Sequence, residues 1–202
     1  MKNKKLDTLT LVELAVLIAI TIIMGTTPLG TIRTPFLSVS LVTIPVAIGA
    51  IILGYKGGII CGLGFGLTSL YNALIGASGM MSALMAVNAF CAVFTIIVPR
   101  VLEGLLTALI YNAIKKAIKK DVVSCYIAAI CCPLLNTLLF MTCICVFFYK
   151  SDYIQALVDK FGSTNPFSFV IALVGIQGVI EAVSCCIIAG TVSIALKKAL
   201  KR

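Results

Sequence analysis

The sequence predicts an all-α integral membrane protein of six transmembrane helices, with both termini on the cytoplasmic side. Three observations carry this. The chain is 61% hydrophobic and 11% charged over 202 residues, with a mean hydropathy of +1.17. A water-soluble domain is nearer 45–50% apolar and 25% charged, and no soluble fold of this length hides so much apolar surface. The apolar residues gather into long runs separated by short breaks rich in glycine, proline or lysine. Finally, the cations are distributed unevenly. With six passes and the N-terminus inside, twelve Lys and Arg residues fall on the inner side (Lys2, Lys4, Lys5, Lys56, Lys115, Lys116, Lys119, Lys120, Lys197, Lys198, Lys201, Arg202) and three outside (Arg33, Lys150, Lys160). Cytoplasmic loops carry such an excess. The same scattering in short runs, without interleaved aromatics, sets nucleic acid aside as the partner of a net charge of +9.

The expected spans, taken in order, are 9–27, 38–53, 58–74, 87–118, 122–149 and 166–196, forming a single membrane domain over 1–202. Lys2, Lys4 and Lys5 before the first span imitate a signal peptide. No A-x-A site follows, so the segment reads as a retained first helix. Pro28, Gly30 and Pro35 end it, and the loop over 26–37 carries Arg33. The run Gly54-Tyr55-Lys56-Gly57-Gly58 is a tight turn between spans two and three. A Gly/Ser/Met loop over 76–82 leads to the fourth span, where Pro99 reads as a kink. A span needs about 20 residues, so the last three, at about 28–32, must tilt, kink or protrude. A polar loop over 150–165 precedes the sixth span.

Three ionisable residues lie deep in the spans: Arg100, Glu103 and Glu181. Each is costly in hydrocarbon unless paired or hydrated. Arg100 is about 13 residues into its helix, roughly 20 Å by helical rise, and Glu181 sits at a similar depth. Contact between them is expected, serving either as an anion clamp for a solute or as a structural lock between helices. Glu13 is close enough to the inner surface to be solvated. Four amides, Asn72, Asn88, Asn136 and Gln177, fall at the midplane or in the outer half, with Thr68, Ser69, Thr137 and Thr142 nearby. Amides in hydrocarbon need partners, so they face the interior. They read either as an outward-opening polar pocket under the 26–37 and 150–165 loops or as glue between helices. Gly58, Gly62 and Gly66 form one face of the third span, and Ala182, Cys186 and Gly190 one face of the sixth. Small residues of this spacing let helix backbones approach.

Enzyme chemistry finds no support. There is no histidine, no phosphate-binding loop, no G-x-S-x-G and no metal-ligand spacing, so no catalytic residue, metal or cofactor is expected. The nine cysteines contain no C-x-x-C and read as small polarisable packing residues.

Six helices in about 200 residues, with Ala15-x-x-x-Ala19 in the first, resemble the substrate-binding S component of an energy-coupling factor (ECF) vitamin transporter. The stretches Thr43-Ile-Pro-Val-Ala-Ile-Gly-Ala-Ile-Ile-Leu-Gly, Gly64-Phe-Gly-Leu-Thr-Ser-Leu and Val98-Pro-Arg-Val-Leu look like the pantothenate-type members in particular. The resemblance implies a vitamin-binding subunit of the cytoplasmic membrane without ATPase activity. It would dock through Ala15 and Ala19 on a transmembrane T component carrying two ABC ATPase subunits, and topple in the lipid to release vitamin inside. The residues bear on the solute independently. Flat aromatic vitamins favour stacking on tryptophan, which this chain lacks, although Tyr71, Tyr149 and Tyr153 could substitute. Pantothenate, a small aliphatic anion, asks for amide and hydroxyl partners and one cation, Arg33 or Arg100. The alternatives are an S component for riboflavin, hydroxymethylpyrimidine or pyridoxine, a stand-alone ion-coupled secondary transporter, and a structural membrane protein without a solute.

Overall fold

The computed structural model describes residues 8–28, 30–33, 38–160, 162 and 165–200. The elements, in order, are α1 (Thr8–Thr26), β1 (Thr31–Arg33), β2 (Ser38–Ser40), α2 (Thr43–Leu74), α3 (Gly79–Val87), α4 (Ala89–Ile118), α5 (Asp121–Phe148), α6 (Asp152–Lys160) and α7 (Pro166–Ala199). Among the described residues, five helices are long and apolar enough to cross a membrane: α1, α2, α4, α5 and the part of α7 from Leu173. Their outward faces carry Ile23, Leu138, Val146, Ile176 and Ile187, each more than half exposed. A contiguous surface of that kind belongs in lipid, since a water-soluble monomer does not expose large apolar patches.

The helix α2 is not straight. Gly54 has φ 68° and ψ −156°, a conformation that a residue with a Cβ strongly disfavours. Beyond it the chain folds back. A Cβ on Gly57 would lie 2.5 Å from the carbonyl oxygen of Gly49, and one on Gly49 would lie 2.8 Å from Cys61 Sγ. In a continuous helix, positions eight and twelve apart are about 12 and 18 Å distant. The arms 43–53 and 55–74 therefore lie antiparallel, with the expected tight turn between them reduced to one glycine.

Five other boundaries differ from expectation. The second span does not begin at 38. Residues 38–40, expected to open that span, pair with 31–33 of the expected loop in an antiparallel hairpin, Thr31 opposite Ser40. The third span begins directly after Gly54. The Gly/Ser/Met loop is largely α3, and the polar loop holds α6, whose Ile154 and Val158 are buried. Asn88 is not inside the fourth helix but caps it, its Oδ1 accepting from Cys91 N at 3.1 Å. The helix α4 continues through Pro99.

The glycines of the third span face inward. A Cβ on Gly58 would collide with the Gly104 carbonyl, and one on Gly62 with that of Arg100. The expected small-residue face thus serves packing of α2 on α4. The helix α1 rests on α2 through Leu17, Thr21 and Gly25, and Asn72 Nδ2 donates to the Gly25 carbonyl at 2.7 Å.

Buried apolar residues form two clusters. One joins Leu17, Val46, Phe65, Cys125, Cys132 and Cys185 to their neighbours. The other joins Leu84, Ile96, Met141, Ile144, Phe148 and Phe169. Along α4, α5 and α7 a band lies between them, occupied by Arg100, Asn136, Gln177 and Glu181.

Candidate functional site

Helical spacing assembles this band. On α4, Arg100, Glu103, Thr107, Tyr111 and Lys115 follow one another at three or four residues and share a face. On α7 the series Gln177, Glu181, Cys185, Ala189, Ser193 and Lys197 recurs at every fourth residue. The helix α5 contributes Cys132, Asn136 and Phe140.

At the band's centre, Arg100 is 9% exposed and Glu103 and Glu181 are buried. The expected Arg100–Glu181 contact is corrected here. Neither Glu181 nor Glu103 comes within ion-pair distance of Arg100 among the described residues, although both lie within electrostatic reach. The guanidinium instead donates from Nη1 to the Ile96 carbonyl at 2.7 Å. It lies over the rings of Phe65 and Phe140, 4.8 and 5.0 Å from their centroids. Two aromatic faces and a backbone carbonyl stabilise a desolvated, weakly hydrated cation of this kind. Its Nε has no hydrogen-bond partner.

Glu181 is held differently. Its Oε1 accepts from the backbone N–H of Ser40 at 2.6 Å and from Gln177 Nε2 at 3.0 Å. The strand β2 therefore enters the bundle to the depth of Glu181. Non-helical backbone at membrane depth is tolerated where protein buries it or where it lines a cavity. Glu103 Oε1 accepts from the Cys132 thiol at 3.1 Å, and the same sulfur lies 3.7 Å from the Thr43 carbonyl. Glu103 Oε2, Thr107 Oγ1 and Asn136 Oδ1 are buried without partners.

The structure thus brings Arg100, Gln177 and Glu181 into one band, with Asn136 one turn from the ring that covers Arg100. Asn72 and Asn88 are used elsewhere, the first tying α2 to α1 and the second capping α4. Thr68 and Thr142 donate to carbonyls of their own helices, at 2.9 and 2.7 Å. Arg33 belongs to β1 by its backbone, and its side chain lies outside the described residues. Ala15 and Ala19 are both exposed, on the side of α1 turned away from α2.

Sequence reasoning missed Ser40, Phe65, Cys132 and Phe140 as members of the band. It also missed a second cluster at the lysine-rich end. There Asp121 accepts from Tyr111 Oη at 2.5 Å, from Lys197 Nζ at 2.9 Å and from Lys115 Nζ at 3.0 Å. Lys197, although charged, is 8% exposed and lies over the Tyr111 ring at 4.3 Å. The four-residue series on α7 was a readable signal for both clusters.

A search of curated proteins returns no match. The model of the family described as "ECF transporter, substrate-specific component" matches residues 9–193, nearly the whole chain. On that extent of match, with the helical membrane architecture beneath it, the chain belongs to the family of substrate-specific components of ECF transporters.

Proposed function

We propose that this chain is the vitamin-binding subunit of an ECF importer in the cytoplasmic membrane, and that its solute is a small carboxylate of the pantothenate type. Family membership implies a small-molecule substrate and partnership with ECF T and ATPase components. The chain crosses the membrane six times when the two arms of α2 are counted separately, with both ends cytoplasmic, as the twelve-to-three distribution of cations supports.

The single observation that carries the solute reading is the polar band. Non-helical backbone at Ser40 and the Gln177 amide both donate to Glu181 there, while Arg100 Nε and Asn136 Oδ1 are buried and unpartnered. A buried donor and acceptor without partners cost about 1–3 kcal/mol each. A solute carrying both an acceptor and a hydroxyl or amide donor relieves that cost. Arg100 and Arg33 are the two candidates for its carboxylate, while Asn136 and Gln177 meet its hydroxyl and amide groups. Asn72 and Asn88, committed to other partners, support the walls. No flat aromatic ligand is favoured, because both rings facing the band are taken by Arg100.

The test is binding by the purified chain to a panel of pantothenate, riboflavin, hydroxymethylpyrimidine and pyridoxine, read by calorimetry. Pantothenate binding is expected without the partners, and Asn136→Ala and Gln177→Ala each weaken it by about tenfold, the loss of roughly one hydrogen bond. Binding of another vitamin alone overturns the pantothenate assignment. Unchanged affinity in both variants removes the solute from the band. Uptake into vesicles is expected only with the T component and ATPases. Uptake by the lone chain on an ion gradient would establish a secondary transporter instead.

A further inference from the structure

The helices α5 and α7 leave an apolar groove on their outer, lipid-facing side. It has a volume of about 170 Å³ and is lined by Ile130, Ala182, Val183, Cys186 and Ile187. No polar group lines it, and the side chains of Val183 and Ile187 stand more than half exposed at its rim. Toward the lysine-rich end the same strip continues. The Tyr126 ring lies against Gly190, and its hydroxyl is 3.4 Å from Thr191 Oγ1, so that Tyr126 bridges α5 to α7.

At that end the charge is unbalanced. Asp121 is the one carboxylate on the adjoining turns of α4, α5 and α7, and it is engaged by Lys115 and Lys197. Lys120 and Lys198 are exposed and have no carboxylate partner among the described residues, as is true of Lys116 and Lys119. Helical register brings one of these four, Lys198, into line with the groove, and the chain places a second, Lys120, at the N-terminus of α5, the helix that supplies Ile130. Lys198 is eleven residues beyond Ile187, within about 20° of it around α7 at 100° per residue. Lys120 precedes Val123, which shares a face of α5 with Ile130.

The distances fit a lipid. Ten residues separate Lys120 from Ile130 and twelve separate Cys186 from Lys198, about 15 and 18 Å of helix. One leaflet of a hydrocarbon core about 30 Å thick is about 15 Å deep. A phosphate held between the two lysines thus lets an acyl chain end in the groove.

We propose that the α5/α7 groove, with Lys120 and Lys198 at its mouth, is a binding site for an anionic phospholipid of the leaflet facing the lysine-rich ends. The lysines take the phosphate, and the groove takes one acyl chain. The charge selects an anionic headgroup over a zwitterionic one, and the apolar lining requires a chain. The proposal does not depend on which vitamin the protein binds.

Lipid titration of the purified chain, followed by native mass spectrometry with phosphatidylglycerol, phosphatidylcholine and soluble glycerol phosphate, tests this. Phosphatidylglycerol is expected to bind, with glycerol phosphate failing to compete. The double variant Lys120→Ala/Lys198→Ala weakens it about thirty-fold, which is about 2 kcal/mol. The equally charge-depleted Lys116→Ala/Lys119→Ala changes it less than threefold. Val183→Trp, at an exposed position, fills the groove and displaces the chain with the lysines intact. Equal affinity for both phospholipids overturns the proposal, as do equal losses in the two lysine pairs. If Val183→Trp leaves lipid binding unchanged but abolishes assembly with the T component, the groove is a protein-docking face and the lipid site is refuted.

Discussion

At the scale of single residues, Glu181 joins the membrane bundle to the β-hairpin. Its Oε1 is the acceptor for a backbone donor, Ser40 N, that no regular ladder satisfies. Glu181→Ala removes that acceptor and leaves a half-buried N–H unpaired, a loss of about 1 kcal/mol. Thermal unfolding in detergent is expected to show it as a lowered midpoint. Glu181→Gln retains an oxygen at the same position, so it should restore most of the midpoint. Equal losses in both variants would mean that the carboxylate's charge, not its role as acceptor, holds the hairpin. Arg100 is stabilised by two rings and a carbonyl rather than by either carboxylate. This leaves Nε buried and without a hydrogen-bond partner, the atom on which the proposed role in solute binding rests.

At the scale of elements, the α2–α4 contact is set by how little side chain stands between two backbones. The glycines of α2 are graded in this respect. A Cβ on Gly58 or Gly62 meets a carbonyl of α4 at impossible range, one on Gly66 meets Ile97 Cα at 3.3 Å, and one on Gly64 finds nothing nearer than 3.7 Å. Alanine substitutions should follow that order. Gly64→Ala is expected to be neutral within about 0.5 kcal/mol. Gly66→Ala requires a small shift, and Gly58→Ala and Gly62→Ala cost about 1–3 kcal/mol each through forced separation of the helices. Midpoints for the four variants, measured side by side, check this, and an ungraded series would rule out close packing as the reason for glycine. At the other end of the bundle, Asp121 fastens α4, α5 and α7. Asp121→Ala strands a buried Lys197. Because the Asp121 side chain is 38% exposed, the full cost of breaking a buried pair is discounted for solvent screening, to about 1–2 kcal/mol. Lys197→Met in the same background should recover part of it, by removing the stranded charge.

At the scale of the whole molecule, α1 stands apart from the other spans. It rests on α2 through Leu17, Thr21 and Gly25, and it turns Ala15 and Ala19 outward between Val12, Val16 and Ile23. A flat stripe of small residues on an exposed helix suits close approach of another helix. We therefore expect Ala15→Trp/Ala19→Trp to leave substrate binding by the isolated chain within about twofold while abolishing uptake by the assembled importer. Loss of binding as well would assign these alanines to the chain's own packing. The polar band and the α1 face lie in different parts of the molecule, so the proposed solute site and the proposed docking face share no residue.

Much of this architecture was legible in the chain. Hydrocarbon leaves few ways to satisfy a backbone, so apolar runs with lysine ends read directly as helices, and the rarity of deep ionisable residues singled out Arg100 and Glu181. Gly54 was readable as a turn because its neighbours are turn residues. The partners of the buried polar groups were not readable, because helical spacing gives a residue's face but not which neighbour occupies it. Charge alone pointed Arg100 at Glu181, whereas packing gave Arg100 the rings of Phe65 and Phe140 and gave Glu181 the backbone of Ser40. That backbone reaches the bundle because residues 38–40 pair with 31–33 as a strand instead of starting a helix, and a hydrogen bond between residues 141 apart in the chain anchors it there. The sequence by itself determined a membrane protein with a polar middle. The tertiary structure alone decided which polar atoms were left without partners, since that depends on every other group having found one.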